Sequence, residues 1–66
     1  MNFQNKETKE SYFDMVIDEY KNNNFEFVEH LIENLSAKEK RSLLLYFFKY
    51  TNNISLYMYA SDIIFT

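Results

Sequence analysis

The apolar residues of this chain recur at the spacing of one side of an α-helix. Between residues 6 and 21 they occupy positions i, i+3, i+4 and i+7, as Phe13, Val16, Ile17 and Tyr20. A second stripe predicts a helix over residues 25–34, and it consists of Phe25, Val28, Leu31, Ile32 and Leu35. Three asparagines at positions 22–24 separate the stripes. Asparagine tolerates the left-handed conformation that ends a helix, so we expect a tight connection there.

A third helix is predicted over residues 37–51. Ser36 and Glu39 have the spacing of a capping box, in which side chain and backbone of the two residues bond reciprocally. Six apolar residues then follow one another over positions 43–48, with the sequence LLLYFF. At about 100° per residue, six consecutive positions surround the helix axis. A helix that is apolar on every side must be covered on every side.

The last predicted element covers residues 54–64. Its apolar residues fit a helical stripe formed by Leu56, Tyr59, Ala60, Ile63 and Ile64, but positions 54–61 also alternate between apolar and polar as in a strand. We favour a helix because a lone strand has nothing to pair with, unless it pairs across a dimer. The prediction is an all-α bundle of three to four short helices in a single domain, residues 1–66.

An apolar surface is expected on the last two helices. Leu43, Phe47 and Tyr50 share one side of the third helix and are expected to complete the core. Leu45 and Phe48 then point away, between basic residues that would form the rim of an interface. The last helix has a second apolar side of its own. The candidate surface for a dimer or another partner is Leu45, Phe48, Tyr57, Met58 and Phe65, and the alternative is that the last helix covers Leu45 and Phe48.

The composition indicates a folded chain with a narrow stability margin. It has 66 residues, of which 47% are hydrophobic and 20% aromatic, and this argues against disorder. Domains of this size often need disulfides, a metal or oligomerisation, and the chain has no cysteine. We therefore expect a homodimer or another protein partner. No apolar run approaches the ~20 residues of a membrane span, and no secretory leader pattern is present, so we expect a cytoplasmic protein.

The sequence offers little material for catalysis. Cysteine and glycine are absent, so there is no thiol nucleophile and no glycine-rich phosphate loop. His30 is the only histidine, and no other ligand has the spacing of a metal site. We interpret His30 as a solvated or interface residue. The prediction is a non-enzymatic protein with no catalytic residue, no metal and no cofactor.

The charge is divided unevenly along the chain. Residues 1–35 contain eight acidic residues against three lysines, whereas residues 36–66 contain four basic residues against two acidic ones. This balance disfavours direct nucleic-acid binding. Acidic residues follow one another about a turn apart on each of the first two predicted helices. These form a candidate surface for a basic partner, consisting of Glu10, Asp14, Asp18, Glu26, Glu29 and Glu33. Such a surface could imitate nucleic acid, or it could simply keep the protein solvated.

Two short segments resemble a known family of inhibitors. Glu10-Ser11-Tyr12-Phe13, followed after a polar turn by Leu31-Ile32-Glu33-Asn34, resembles the two helices of Sda, the helical-hairpin inhibitor of sporulation histidine kinases. The resemblance implies a hairpin that docks on a kinase and blocks it without chemistry. It covers about the first half of the chain.

The favoured hypothesis is a small acidic interaction protein that binds and regulates or inhibits a larger protein. Phe, Tyr, Met, Ile, Asn and Lys, which have AT-rich codons, make up 35 of the 66 residues. This bias suits a phage or mobile element of a low-GC Gram-positive host. An anti-CRISPR protein or another host-takeover protein fits that description. The alternatives are an Sda-like kinase inhibitor and a structural subunit that assembles with itself.

Overall fold

The computed structural model describes residues 5–65, except for the side chain of Lys6. This part of the chain forms four α-helices and contains no strand, which confirms the all-α prediction. The helices are α1 (Lys6–Lys21), α2 (Phe25–Glu33), α3 (Ala37–Tyr50) and α4 (Ile54–Phe65). Their ends lie within one residue of the predicted ones, which is the usual uncertainty of a helix end. The strand alternative for the last element is wrong.

Asparagine closes α1 as its position predicted. Asn23 has φ 63°, in the left-handed region. The amide of Asn23 donates to the carbonyl of Tyr20 and the amide of Asn24 donates to the carbonyl of Glu19, both at 3.0 Å. These two bonds form a Schellman motif, the arrangement that usually requires glycine. A chain without glycine thus ends its first helix in the same way.

Polar side chains fix the first turns of α3 and α4. The amide of Glu39 donates to Oγ of Ser36 at 3.2 Å, and the amide of Ser36 donates to a carboxylate oxygen of Glu39 at 2.8 Å. Both bonds of the predicted capping box are therefore present. The side chain of Asn53 accepts from the amide of Leu56 at 3.0 Å and caps α4.

All four helices contribute to one core. α2 packs against α1 and α4, and α4 packs against α3. Among the described side chains, the buried ones are all apolar: Phe13, Val16, Val28, Leu31, Ile32, Leu35, Leu43, Leu44, Phe47, Leu56 and Ala60. Tyr12 joins the hairpin formed by α1 and α2, because its hydroxyl donates to the carbonyl of Leu31 at 2.6 Å. Burial raises the pKa of Tyr12 above its ordinary value of 10, so the hydroxyl remains a donor even in alkaline solution.

Tyr50 departs from the predicted core. It is 58% exposed, although helical spacing places it near the side of Leu43 and Phe47. The reason is that α3 extends past the core at its last residue. The Tyr50 ring instead packs 4.8 Å from the ring of Tyr46 and lines an open groove beside α1.

Candidate protein-binding face

The apolar run of α3 is covered on one side only. Leu43, Leu44 and Phe47 are at most 7% exposed, whereas Leu45 is 69% and Phe48 77% exposed. The alternative in which the last helix covers Leu45 and Phe48 is therefore not found in the single chain. The ring of Phe48 packs edge-to-face with the ring of Tyr57 on α4, and the centres of the two rings are 6.2 Å apart.

α4 continues this exposed apolar surface. Ile54, Met58 and Phe65 are 60–74% exposed, while Leu56 and Ala60 are buried on the opposite side of the helix. Spacings of four and seven residues place the three exposed side chains on one line along α4. Tyr57, also on α4, is half-buried, and its ring packs against the ring of Phe48. We call these residues the α3–α4 face: Leu45, Phe48, Ile54, Tyr57, Met58 and Phe65.

Ile54 was absent from the residues that the sequence pointed to. Ile54 shares a helical stripe with Met58 and Phe65, but positions 54–61 also alternate as in a strand, and that alternation does not assign Ile54 to an exposed side. Ile54 matters because it forms one wall of a hollow at the junction of α3 and α4. The hollow has a volume of about 590 Å³, and its other lining residues are Phe47, Phe48, Thr51, Asn52, Asn53 and Tyr57.

Basic residues accompany the apolar surface along α3. Lys38, Arg41 and Lys49 are exposed. The ammonium of Lys49 lies 5.4 Å from the centre of the Tyr50 ring, a cation–π contact. Asp62 is the only charged residue after position 49, so α4 is nearly uncharged. The α3–α4 face therefore has an apolar centre and a basic border on its α3 side.

The predicted acidic residues of α1 lie beside α3. Asp14 and Asp18 line an open groove of about 550 Å³ that Tyr50 also lines. Glu10 lines an adjacent hollow of about 300 Å³. The hydroxyl of Tyr46 donates to the carboxylate of Asp14 at 2.7 Å, and this bond raises the pKa of Tyr46 to about 12. Asp14 is therefore engaged within the chain as well as exposed to solvent.

The predicted acidic residues of α2 have different neighbours. Glu26, Glu29 and Glu33 are exposed. Burial raises the pKa of Tyr59 on α4, and the nearby carboxylate of Glu29 adds to this shift. The acidic residues of α1 thus border α3, whereas Glu29 borders α4. The structure does not bring the six residues into one compact cluster.

A cluster of three aromatic rings joins α1, α2 and α4. The rings of Tyr20, Phe25 and Tyr59 lie 5.4–5.6 Å from one another. The hydroxyl of Tyr59 donates to the carbonyl of Phe25 at 3.2 Å. This cluster explains why Phe25 stays 42% exposed although it belongs to the apolar stripe of α2. It packs at the edge of the core rather than inside it.

Other kinds of site find little support in the described residues. His30 is exposed and lines a shallow hollow with Glu26 and Phe27. Within residues 5–65, no group of three or more His, Asp or Glu side chains is arranged to hold a metal ion. None of the four helices combines the length and apolar character that crossing a membrane requires. Comparisons with protein-family models, with curated proteins and with solved structures find no match.

Proposed function

We propose that this chain is a non-enzymatic interaction protein that binds and regulates or inhibits a larger protein in the cytoplasm. The observation that carries the proposal is the α3–α4 face. It exposes five large apolar side chains to solvent on two adjacent helices. A continuous apolar patch with a charged border is the usual anatomy of a protein-binding surface.

The acidic residues suit a basic region of that larger protein. Asp18, Glu26, Glu29 and Glu33 are exposed and free to approach such a surface. The AT-rich residue usage favours a phage or mobile-element protein, for example an inhibitor of a CRISPR nuclease or of a host replication or transcription factor. Acidic side chains at helical spacing could take the place of phosphates in a nucleic-acid channel.

Affinity capture from a low-GC Gram-positive lysate tests the proposal. The wild-type chain is compared with Leu45→Glu/Met58→Glu, which places charges on the α3–α4 face. The matched control is Met15→Glu/Phe27→Glu, because these apolar residues are also exposed but lie on α1 and α2. We expect a protein that is recovered with the wild type and the control and lost with the face variant. Recovery that is identical for all three chains would contradict the proposal.

A separate experiment tests the proposal that the acidic residues bind a basic region of the larger protein. Reversal of Asp14, Asp18, Glu29 and Glu33 to lysine is expected to abolish target binding while circular dichroism still reports a helical fold. A control with lysines at the exposed neutral positions Thr8, Ser11, Asn22 and Ser55 is compared with neutralisation of the same four acids to Asn or Gln, because each of these two variants has four more positive charge units than the wild type. Unchanged affinity of the acidic variant would show that these residues only solvate the protein.

The α1–α2 hairpin supports a second candidate, an Sda-like kinase inhibitor. The Tyr12–Leu31 hydrogen bond brings together the two segments that resemble that family. This candidate predicts that residues 1–35 carry the binding surface. Autophosphorylation of a sporulation sensor kinase should then fall on addition of the chain, and the Leu45→Glu/Met58→Glu variant should inhibit as well as the wild type. An unaffected kinase would dismiss this candidate.

A further inference from the structure

We propose that the α3–α4 face binds a second copy of this chain in a two-fold symmetric dimer. In this dimer Phe65 of each copy enters the hollow lined by Phe48, Ile54 and Tyr57 of the other. The inference rests on the proposed function in one respect, namely that the face is a protein-binding surface. It adds that a second copy of the chain is one protein that binds this face.

The size of the face matches what a stable dimer needs. Its five exposed side chains are 60–77% accessible. Large apolar and aromatic side chains present on the order of 150–200 Å² each, so together they expose roughly 600 Å². That is at the upper limit for a typical monomer, about 300–600 Å². It is also most of the ~800 Å² that each partner contributes to a standard interface. A 66-residue chain without cysteine cannot be stabilised by disulfides, and association with a second copy is another way to bury its exposed apolar surface.

The shape of the face is complementary to itself. The hollow of about 590 Å³ lies at the start of α4, beside Ile54. Phe65 stands 71% exposed at the other end of the same helix. Eleven residues separate the two positions, about three turns or 16 Å, and they differ by only about 20° around the helix axis. A two-fold axis that crosses α4 at its middle, between Tyr59 and Ala60, exchanges the two ends. It therefore places each projecting phenylalanine opposite the partner's hollow.

The residues that line the hollow are uncharged. The acidic residues nearest the face are Glu10, which lines the hollow of about 300 Å³ together with Leu45, and Asp62 on α4. α3 and α4 pack together across a connection of three residues and so run in opposite directions. Lys38 and Arg41, in the first half of α3, consequently lie toward the Phe65 end. The two-fold axis sends Lys38 and Arg41 of the two copies to opposite ends of the dimer, and Lys49 of each copy lies at the end that holds the other copy's Lys38 and Arg41, so we expect dimerisation to strengthen as salt screens these charges.

Photocrosslinking tests the predicted contact. Phe65 is replaced by p-benzoylphenylalanine, which keeps an aromatic side chain, and the protein is mixed with isotopically labelled wild type. We expect intermolecular crosslinks to Phe48, Ile54 or Tyr57. The control carries the same photocrosslinker at Phe27, which is 46% exposed on α2, and it should give no dimer. Crosslinks from position 65 to α1 or α2, or no intermolecular crosslink at all, would overturn the proposed contact.

Sedimentation velocity provides the second measurement. The wild type should change from monomer to dimer as its concentration rises, and Phe65→Ala should weaken dimerisation about tenfold or more, as expected of a buried aromatic anchor. Phe27→Ala should leave it unchanged. A strict monomer at about 500 μM, where even weak complexes are populated, would overturn the dimer. The proposed function fails separately, when the Leu45→Glu/Met58→Glu variant captures the same proteins as the wild type.

Discussion

Two adjacent leucines on α3 provide a matched comparison of a covered and an open position. Leu44 is 7% exposed and Leu45 is 69% exposed, although both belong to the same helix and the same apolar run. Truncation of a buried leucine to alanine costs about 2–5 kcal/mol, because apolar burial is lost and a cavity remains. At Leu45 less than a third of the side chain is covered. The loss there should stay below about 1 kcal/mol and is partly offset by the higher helix propensity of alanine.

Urea unfolding followed by circular dichroism measures this difference. A domain of this size has a free energy of unfolding of roughly 3–10 kcal/mol, so Leu44→Ala should remove a large part of it. With an m value of about 1 kcal/mol/M, the unfolding midpoint should fall by about 2 M or more for Leu44→Ala and by well under 1 M for Leu45→Ala. If Leu44→Ala is fully unfolded, Ile32→Val provides a milder core truncation, with an expected cost of about 0.5–1.5 kcal/mol.

The concentration of the protein decides how the result is interpreted. In dilute solution the two variants should differ as described. At high concentration the wild type should gain stability by mass action if a second copy covers Leu45, and Leu45→Ala should lose most of that gain. Equal destabilisation by the two variants in dilute solution would refute the reasoning, because Leu45 would then be covered within the single chain.

Four further predictions concern local interactions. Ser36→Ala should lower the free energy of unfolding by about 0.5–2 kcal/mol through loss of the helix cap. Desolvation alone would raise the pKa of Glu39, but its bonds with Ser36 outweigh this and lower it from 4.5. The capping carboxylate therefore stabilises the fold above about pH 4.5. The stability difference between wild type and Glu39→Gln should vanish as the pH falls through the lowered value. Spectrophotometric titration should find one tyrosine ionising near pH 12, because the Asp14 carboxylate that accepts from Tyr46, together with burial, raises the pKa of Tyr46 to about 12, and Asp14→Asn should lower this pKa toward its ordinary value. The stabilisation from this bond is present below pH 10 and is lost as the pH approaches 12. Asn23→Gly should be neutral or slightly stabilising in thermal unfolding, whereas Asn23→Ala should cost about 1 kcal/mol, since φ is 63° at this position.

The helices were predictable because each carries its own local signals. The Ser36/Glu39 spacing fixed the start of α3, and the asparagines marked the end of α1, without any tertiary information. The same apolar stripes also predicted which residues form the core, as long as those residues lie in the middle of a helix. The prediction failed for Tyr50 because helical spacing gives the direction of a side chain but not the place where the core ends.

The surface was harder to predict for a physical reason. Sequence spacing placed Leu45 and Phe48 opposite the core, but only packing shows whether another helix covers them. The hollow beside Ile54 depends on the angle at which α4 leaves α3, and no local pattern encodes that angle. Likewise, the acidic residues of α1 and α2 appear as one kind of surface in the sequence. They separate in the structure because Asp14 borders α3 while Glu29 borders α4.

The central claim is that the α3–α4 face is open in the single chain, and methyl relaxation by a solvent paramagnetic agent tests it most directly. The consecutive leucines 43, 44 and 45 act as internal standards for one another in a single spectrum. In dilute solution we predict strong relaxation of the Leu45 methyls and little at Leu43 or Leu44, with the Leu45 effect diminishing as the concentration rises. Leu45 methyls as protected as those of Leu44 in dilute solution would contradict the account.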